Sequence, residues 1–174
     1  GTYPLPEAQV DRFMMKVMVG YPSEDEEFVI VERAIGGAIE VASVVTPEGL
    51  AAMQRECRQV YVDPALITYA VRLVAATREP AKAGLAELAK YVTFGASPRA
   101  SIWLIEGARA LAYLRGRSHV RNEDVLDLAA DVLRHRISLG YEALADGVTS
   151  DQLIVKLLKA LPVPTQVLQE ARRA

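Results

Sequence analysis

Six helix-start signatures punctuate this chain, and they constrain its fold more than anything else in it. Ser23-Glu24-Asp25-Glu26 has the spacing of a capping box, with acids on the first turn where the helix dipole favours them. Thr46-Pro47, Asp63-Pro64 and Ser97-Pro98 each set a side-chain acceptor before a proline, whose missing N–H costs nothing at the first helical position. Asn122 and Thr149-Ser150-Asp151-Gln152 supply the last two starts. Apolar residues follow at helical spacing: Phe28, Val31 and Ile35; Leu50, Met53 and Cys57; Ile67, Ala70, Val71 and Val74; Val125, Leu128, Ala129, Val132 and Leu133; Leu153, Leu157 and Leu161. The helix begun by Ser97-Pro98 runs towards Arg115-Gly116 and is the longest expected. Gly107, Ala108, Ala110 and Ala112 make part of it thin, so a neighbour can approach closely. A shorter helix is expected over 81–91, while 35–45, with Gly36-Gly37, is ambiguous.

One segment breaks the pattern. Phe13-Met14-Met15-Lys16-Val17-Met18-Val19, ended by Gly20-Tyr21-Pro22, is apolar on both faces apart from Lys16. That suits an interior strand of a parallel sheet. A lone strand leaves its backbone groups unpaired, and no other convincing strand follows, so its partners are expected upstream of Gly1. The fold class expected is therefore all-α: a helical bundle of six or seven helices, preceded by a helix near Pro6 to Asp11 and a strand that belongs elsewhere.

Composition excludes several functions. The 174 residues are 51% hydrophobic and 24% charged, a globular balance. A net charge of -2 gives no positive field to draw nucleic acid or an anionic membrane. No apolar run is long enough to span a bilayer, and the first residues lack the features of a signal peptide. The single cysteine, Cys57, fits a reducing compartment, and a cytoplasmic location is expected.

Two arginines stand out as chemistry. Arg12 sits at a helix-to-strand junction, where rigid elements on both sides could aim its guanidinium across a subunit boundary at a neighbour's phosphoryl group. By pattern alone the plainer reading is a surface arginine near a helix C-terminus. Arg99 follows Ser97 and Pro98 on the first turn of the longest helix, where a cation opposes the dipole by roughly 0.3–1 kcal/mol. A bound anion would reverse that sign, since backbone N–H groups and Arg99 would face one phosphate; a solvent-facing arginine is the plainer alternative. His119 and His135 lack partners at metal-ligand spacing, and His135, between Arg134 and Arg136, reads as a solvated cationic tip. Cys57 and Trp103 read as packing, and Glu24 to Glu27 as capping. No G-x-x-x-x-G-K-[ST] phosphate loop occurs in the 174 residues.

Several motifs, in order over about 160 residues, resemble those of MoxR-family AAA+ ATPases. Gly1-Thr2-Tyr3-Pro4-Leu5-Pro6-Glu7-Ala8-Gln9-Val10-Asp11-Arg12-Phe13 is similar to the segment after the family's sensor-1 strand, and Gly20-Tyr21-Pro22 continues it. Val62-Asp63 with Ala75-Ala76-Thr77-Arg78 resembles the family's lid, and Gly95-Ala96-Ser97-Pro98-Arg99-Ala100 its sensor-2 motif. The resemblance implies that residues 1–22 are the tail of an α/β core and 23–174 the helical lid. It implies Arg12 as an arginine finger acting in trans, and Arg99, with Ser97 and Pro98, as the sensor-2 nucleotide site. It further implies ATP and Mg²⁺ as cofactors of a full-length protein whose Walker A, Walker B and sensor-1 motifs lie upstream. This chain alone would then bind nucleotide weakly and hydrolyse none. A homo-oligomeric ring, commonly a hexamer, is implied, working with a von Willebrand factor A domain protein on a client enzyme in chaperone-like assembly, often of metalloenzymes. A magnesium-chelatase-like ATPase subunit is the nearest alternative, since it shares an arginine before a Phe at the strand start. A helical scaffold without nucleotide is the other.

Overall fold

A computed structural model describes residues 3, 5–37 and 40–165. The first motif's Gly1, Thr2 and Pro4 lie outside the described residues, as do two positions of the ambiguous 35–45 stretch. The elements in order are α1 (Glu7–Val10), α2 (Glu24–Ile35), α3 (Pro47–Gln59), α4 (Pro64–Arg78), β1 (Val92–Phe94), α5 (Arg99–Leu114), α6 (Asn122–Leu133), β2 (Ser138–Leu139), α7 (Tyr141–Ala145) and α8 (Ser150–Ala160). The chain is mostly helical, as expected.

Most caps form as read. Ser23 and Glu26 close a capping box, and so do Thr149 and Gln152. Thr46 accepts from the Gly49 N–H, and Asp63 from the Ala65 N–H. Asn122 does not cap α6. It is the first helical residue, and Asp124 instead takes the Arg121 N–H at 2.8 Å. Asn122 donates to the Pro164 carbonyl at 3.0 Å. Residues 80–83 and 86–91 form 3₁₀ turns rather than one α-helix, broken at Gly84, which takes a φ of 81°.

The core lies between α4, α5, α6 and α8. Leu66, Leu73 and Val74 of α4 meet Leu104 and Ala108 of α5, Val125 and Leu133 of α6, and Leu153 and Leu157 of α8. The α4 stripe is rotated from the expected one: Ala70 and Val74 are buried, but Ile67 and Val71 face out and Leu66, Tyr69 and Leu73 face in. The small residues of α5 serve close approach, because a Cβ on Gly107 would come within 3.0 Å of Leu128 and Met14. By contrast, α2 and α3 bury no residue among those described.

One strand expectation needs correction. A two-stranded antiparallel sheet forms where no second strand was expected, pairing Val92 with Leu139 and Phe94 with Ser138. Residues 13–19 belong to no sheet among the described residues: 13 and 14 form a bend, and 15–19 have no regular secondary structure, as fits a strand whose partners are expected elsewhere. Their polar groups find other partners. The Lys16 N–H donates to the Asp131 carbonyl at 2.8 Å, and the Lys16 carbonyl accepts from Arg134 at 2.6 Å. Arg136 takes the carbonyls of Asp11, Phe13 and Met14. A guanidinium presents five donors in a rigid fork, so it replaces a neighbouring strand for carbonyls, which need only donor partners. Met14 and Met15 pack partly against the bundle, while Phe13, Val17, Met18 and Val19 are exposed.

Gly95 shows how tightly the loop before α5 is held. An added Cβ would lie 2.4 Å from the Thr77 carbonyl oxygen and 2.5 Å from the Arg78 nitrogen, both backbone atoms that cannot yield. Gly95→Ala should therefore destabilise the chain by about 1–3 kcal/mol, the usual cost of overpacking. Thermal unfolding checks this, and an unchanged Tm would contradict it.

Candidate functional site

The loop leading into α5 is fastened to the end of α4. Thr77, fully buried, accepts a hydrogen bond from the Ala96 N–H at 2.9 Å and donates to the Val74 carbonyl at 2.6 Å. Arg78 donates to the Ala96 carbonyl at 2.6 Å. The Ala75-Ala76-Thr77-Arg78 and Gly95-to-Ala100 motifs are thus one structural unit. Pro98 has helical angles, φ -56° and ψ -21°, and sets the start of α5. Ser97 is not the N-cap expected of it: α5 begins at Arg99 with Pro98 in the cap position, and the Ser97 hydroxyl accepts from the Arg99 N–H at 3.3 Å from one residue before.

An anion does face this helix start, and it is a side chain of the protein. The Asp11 carboxylate accepts from the Ser97 hydroxyl at 2.9 Å, from Arg99 at 3.0 Å and from Arg136 Nε at 3.1 Å. The negative charge offsets the unfavourable placing of Arg99 at the positive end of α5. Ser97 and Arg99 are donors of the kind that hold phosphate, and they already hold a carboxylate; the donor set fits a phosphate oxygen. With its side chain 46% exposed, Arg99 can be reached from solvent.

Asp11 also locates the second arginine. Arg12 follows it on the turn after α1, exposed, and its side chain has no hydrogen-bond or ion-pair partner among the described residues. The four candidate residues Arg12, Ser97, Pro98 and Arg99 therefore meet at one end of the bundle, joined through Asp11.

The residues that build this joint were missed in the sequence. Arg134-His135-Arg136 is a clamp, which corrects the reading of His135 as a solvated tip. Arg136 is buried, with 6% of its surface exposed, and donates to the Val132 carbonyl of α6 as well as to the 11–14 segment. Burial pulls its guanidinium below its usual pKa, partly offset by Asp11. His135 lies within hydrogen-bond distance of the Phe13 carbonyl, 3.1 Å from its Nε2. Burial depresses its pKa, with the Phe13 carbonyl opposing, so the ring is favoured neutral. Ser138 donates to Glu7 at 2.6 Å and ties α1 to the same end. Three basic groups at a helix C-terminus, where the dipole favours cations, were the available signal.

A second charged cluster joins α5 to α6. Asp124, fully buried, accepts from Arg117 at 2.7 Å, from Arg115 at 2.8 Å and from the Arg121 N–H. Burial alone would raise its pKa; the Arg117 fork, the Arg121 N–H and Arg115 more than reverse this, and the carboxyl sits below its usual value. Among the described residues, no group of three or more His, Cys, Asp or Glu could hold a metal ion. No helix among them is long and apolar enough to cross a membrane.

Comparisons with known proteins agree with the helical fold. Residues 85–157 match the AAA lid domain family. The chain is 43% identical to the chaperone MoxR1 of Mycobacterium tuberculosis over 164 residues, covering 94% of this chain and 44% of that protein. It is 34% identical to the protein MoxR of Paracoccus denitrificans, covering 94% of this chain and 52% of that protein. A crystal structure of a candidate ATPase from Cytophaga hutchinsonii superposes with a TM-score of 0.90 at 39% identity, covering 95% of this chain and 51% of that one. The chain thus spans about half the length of the relatives it matches.

Proposed function

We propose that this chain, which belongs to the MoxR family of AAA+ proteins, reads nucleotide through Arg99 and completes a neighbouring subunit's site through Arg12. What supports the reading is the joint at Asp11: an anion-holding helix start and an unengaged guanidinium share one end of the bundle. In this account the full-length protein adds an α/β core with a phosphate loop and magnesium carboxylates, for which 1–22 is the tail and 23–174 the lid. ATP with Mg²⁺ supplies the transferable phosphoryl group. Arg99, anchored on α5, holds the γ-phosphate from the subunit's own lid, and Ser97 and Pro98 keep that helix start in place. Arg12 reaches across the boundary and neutralises charge on the neighbour's transferring group.

The finger requires a homo-oligomer with a heterologous contact that closes into a ring, and a hexamer fits the family. The ring would act in the cytoplasm as a chaperone-like machine on a client enzyme, metalloenzymes among them, with a von Willebrand factor A domain protein as partner. The hydrophobic residues left outside on α2, Phe28 and Ile35 among them, suit contact with the core.

The test is nucleotide binding to the full-length protein. Arg99→Ala should raise the Kd for ATP about 10–100-fold, the loss of a charge-assisted hydrogen bond, and leave that for ADP unchanged. An equal loss for both nucleotides, or none, would reject contact with the γ-phosphate.

A further inference from the structure

The Asp11 carboxylate has a place in the chain that the two-arginine account does not use. It stands beside Arg12 in sequence and against Arg99 in space, 88 residues away. It is also fixed from behind. Arg136 is buried and spends its fork on one short stretch: the Asp11 side chain, the carbonyls of Asp11, Phe13 and Met14, and the Val132 carbonyl of α6. The clamp therefore holds both sides of Arg12 to the end of α6, while the Arg12 side chain itself stays outside. On the opposite side, the Ser97 hydroxyl and Arg99 reach the same carboxylate from the start of α5. The Arg99 contact is the exposed and exchangeable one, with side chains 46% and 21% exposed, whereas the Arg136 side chain in its pair is fully covered.

We propose that Asp11 is a positioning residue that couples the two arginines: it competes with the γ-phosphate for Arg99 and, held by Arg136, fixes the segment that presents Arg12. This rests on the assignment of Arg99 and Arg12 to phosphate. The physical basis is exchange of one anion for another at a single guanidinium. When Arg99 takes a phosphate oxygen it gives up Asp11, and the carboxylate is left to Arg136 and Ser97. The state of a subunit's own nucleotide is then felt at the arginine offered to its neighbour. A merely structural carboxylate would be expected to weaken everything when lost. A competing one has a signature of opposite sign in binding and in turnover.

The experiment uses the full-length protein, with ATP and ADP titrations and steady-state turnover for Asp11→Asn, Arg99→Ala and the double variant. Asp11→Asn should lower the Kd for ATP about two- to fivefold, the range an exposed ion pair supports, leave ADP unchanged and lower kcat. In the Arg99→Ala background the same substitution should no longer improve ATP binding, because the competitor has nothing left to compete for. Asp11→Glu, which keeps the charge, should keep the wild-type Kd. Unchanged or weaker ATP binding in Asp11→Asn, or a gain that persists without Arg99, overturns the proposal, and so does an unchanged kcat. The underlying assignment fails separately, by Arg99→Ala leaving ATP binding intact. Since both sides of the cycle carry the same Asn, a general loss of stability cancels from the comparison.

Discussion

Arg12→Ala should lower ATP turnover of the assembled full-length protein about 10³–10⁵-fold, the contribution of an arginine finger. The loss should appear in kcat, with ATP binding to each subunit retained, because Arg12 is assigned to the next subunit's nucleotide rather than its own. Its surroundings make this a clean substitution. The Arg12 side chain has no partner among the described residues to be stranded, whereas its backbone neighbours remain held by Arg136. Arg12→Lys should recover little, since an ammonium on a flexible stem does not reproduce a planar fork. Steady-state kinetics with a parallel Tm measurement separates the effect from misfolding, and near-normal turnover would remove Arg12 from the mechanism.

The largest expected effect on stability lies at Asp124. Its carboxylate is fully buried and receives Arg117, Arg115 and the Arg121 N–H. Asp124→Ala leaves the Arg117 guanidinium without its main partner and unties the entry to α6. Breaking a buried pair from one side costs about 3–5 kcal/mol. For a chain of this size that corresponds to a fall in Tm of roughly 6–20 °C. The same group carries a pH dependence of known sign. Because its carboxyl is held below the usual value in the folded chain, its contribution is present above the unfolded pKa, about 3.9, and is lost as pH falls through the folded value. Thermal melts from neutral pH down into that acid range should show this slope in the wild type and a flatter one in Asp124→Ala. A variant as stable as the wild type would show the cluster to be incidental.

Local signals carried most of the architecture. The hydroxyl and carboxylate caps at Ser23, Thr46, Asp63 and Thr149 act within three residues of themselves, so spacing alone announces them. The turn of Ser97, Pro98 and Arg99 was equally local, and α5 starts there. What the sequence hid is all long-range. Asp11 meets residues 86, 88 and 125 positions away, and no periodicity connects them. Arg134-His135-Arg136 looks like a solvated tip because the segment it clamps lies at the other end of the chain. The anchoring of the 13–19 segment is equally long-range. Its apolar pattern fits a strand, but pairing is decided by which partners are present, and here arginine side chains take its carbonyls. The α4 stripe was misphased because apolar residues occupy nearly every turn position, leaving Leu66 and Ile67 indistinguishable until neighbours choose between them.

Mixing two impaired variants of the full-length protein tests the division of labour between Arg99 and Arg12 most directly. Subunits carrying Arg12→Ala keep Arg99, and subunits carrying Arg99→Ala keep Arg12. Wherever the first type sits beside the second across the correct face, an unaltered site is rebuilt, which in a random equal mixture of ring subunits happens at about a quarter of the sites. At ATP concentrations near the wild-type Kd, where Arg99→Ala sites stay largely empty, the mixture should recover about that fraction of wild-type turnover, although each variant alone has little. A mixture no more active than its two components would mean that the two guanidiniums do not serve nucleotides on opposite sides of a subunit boundary.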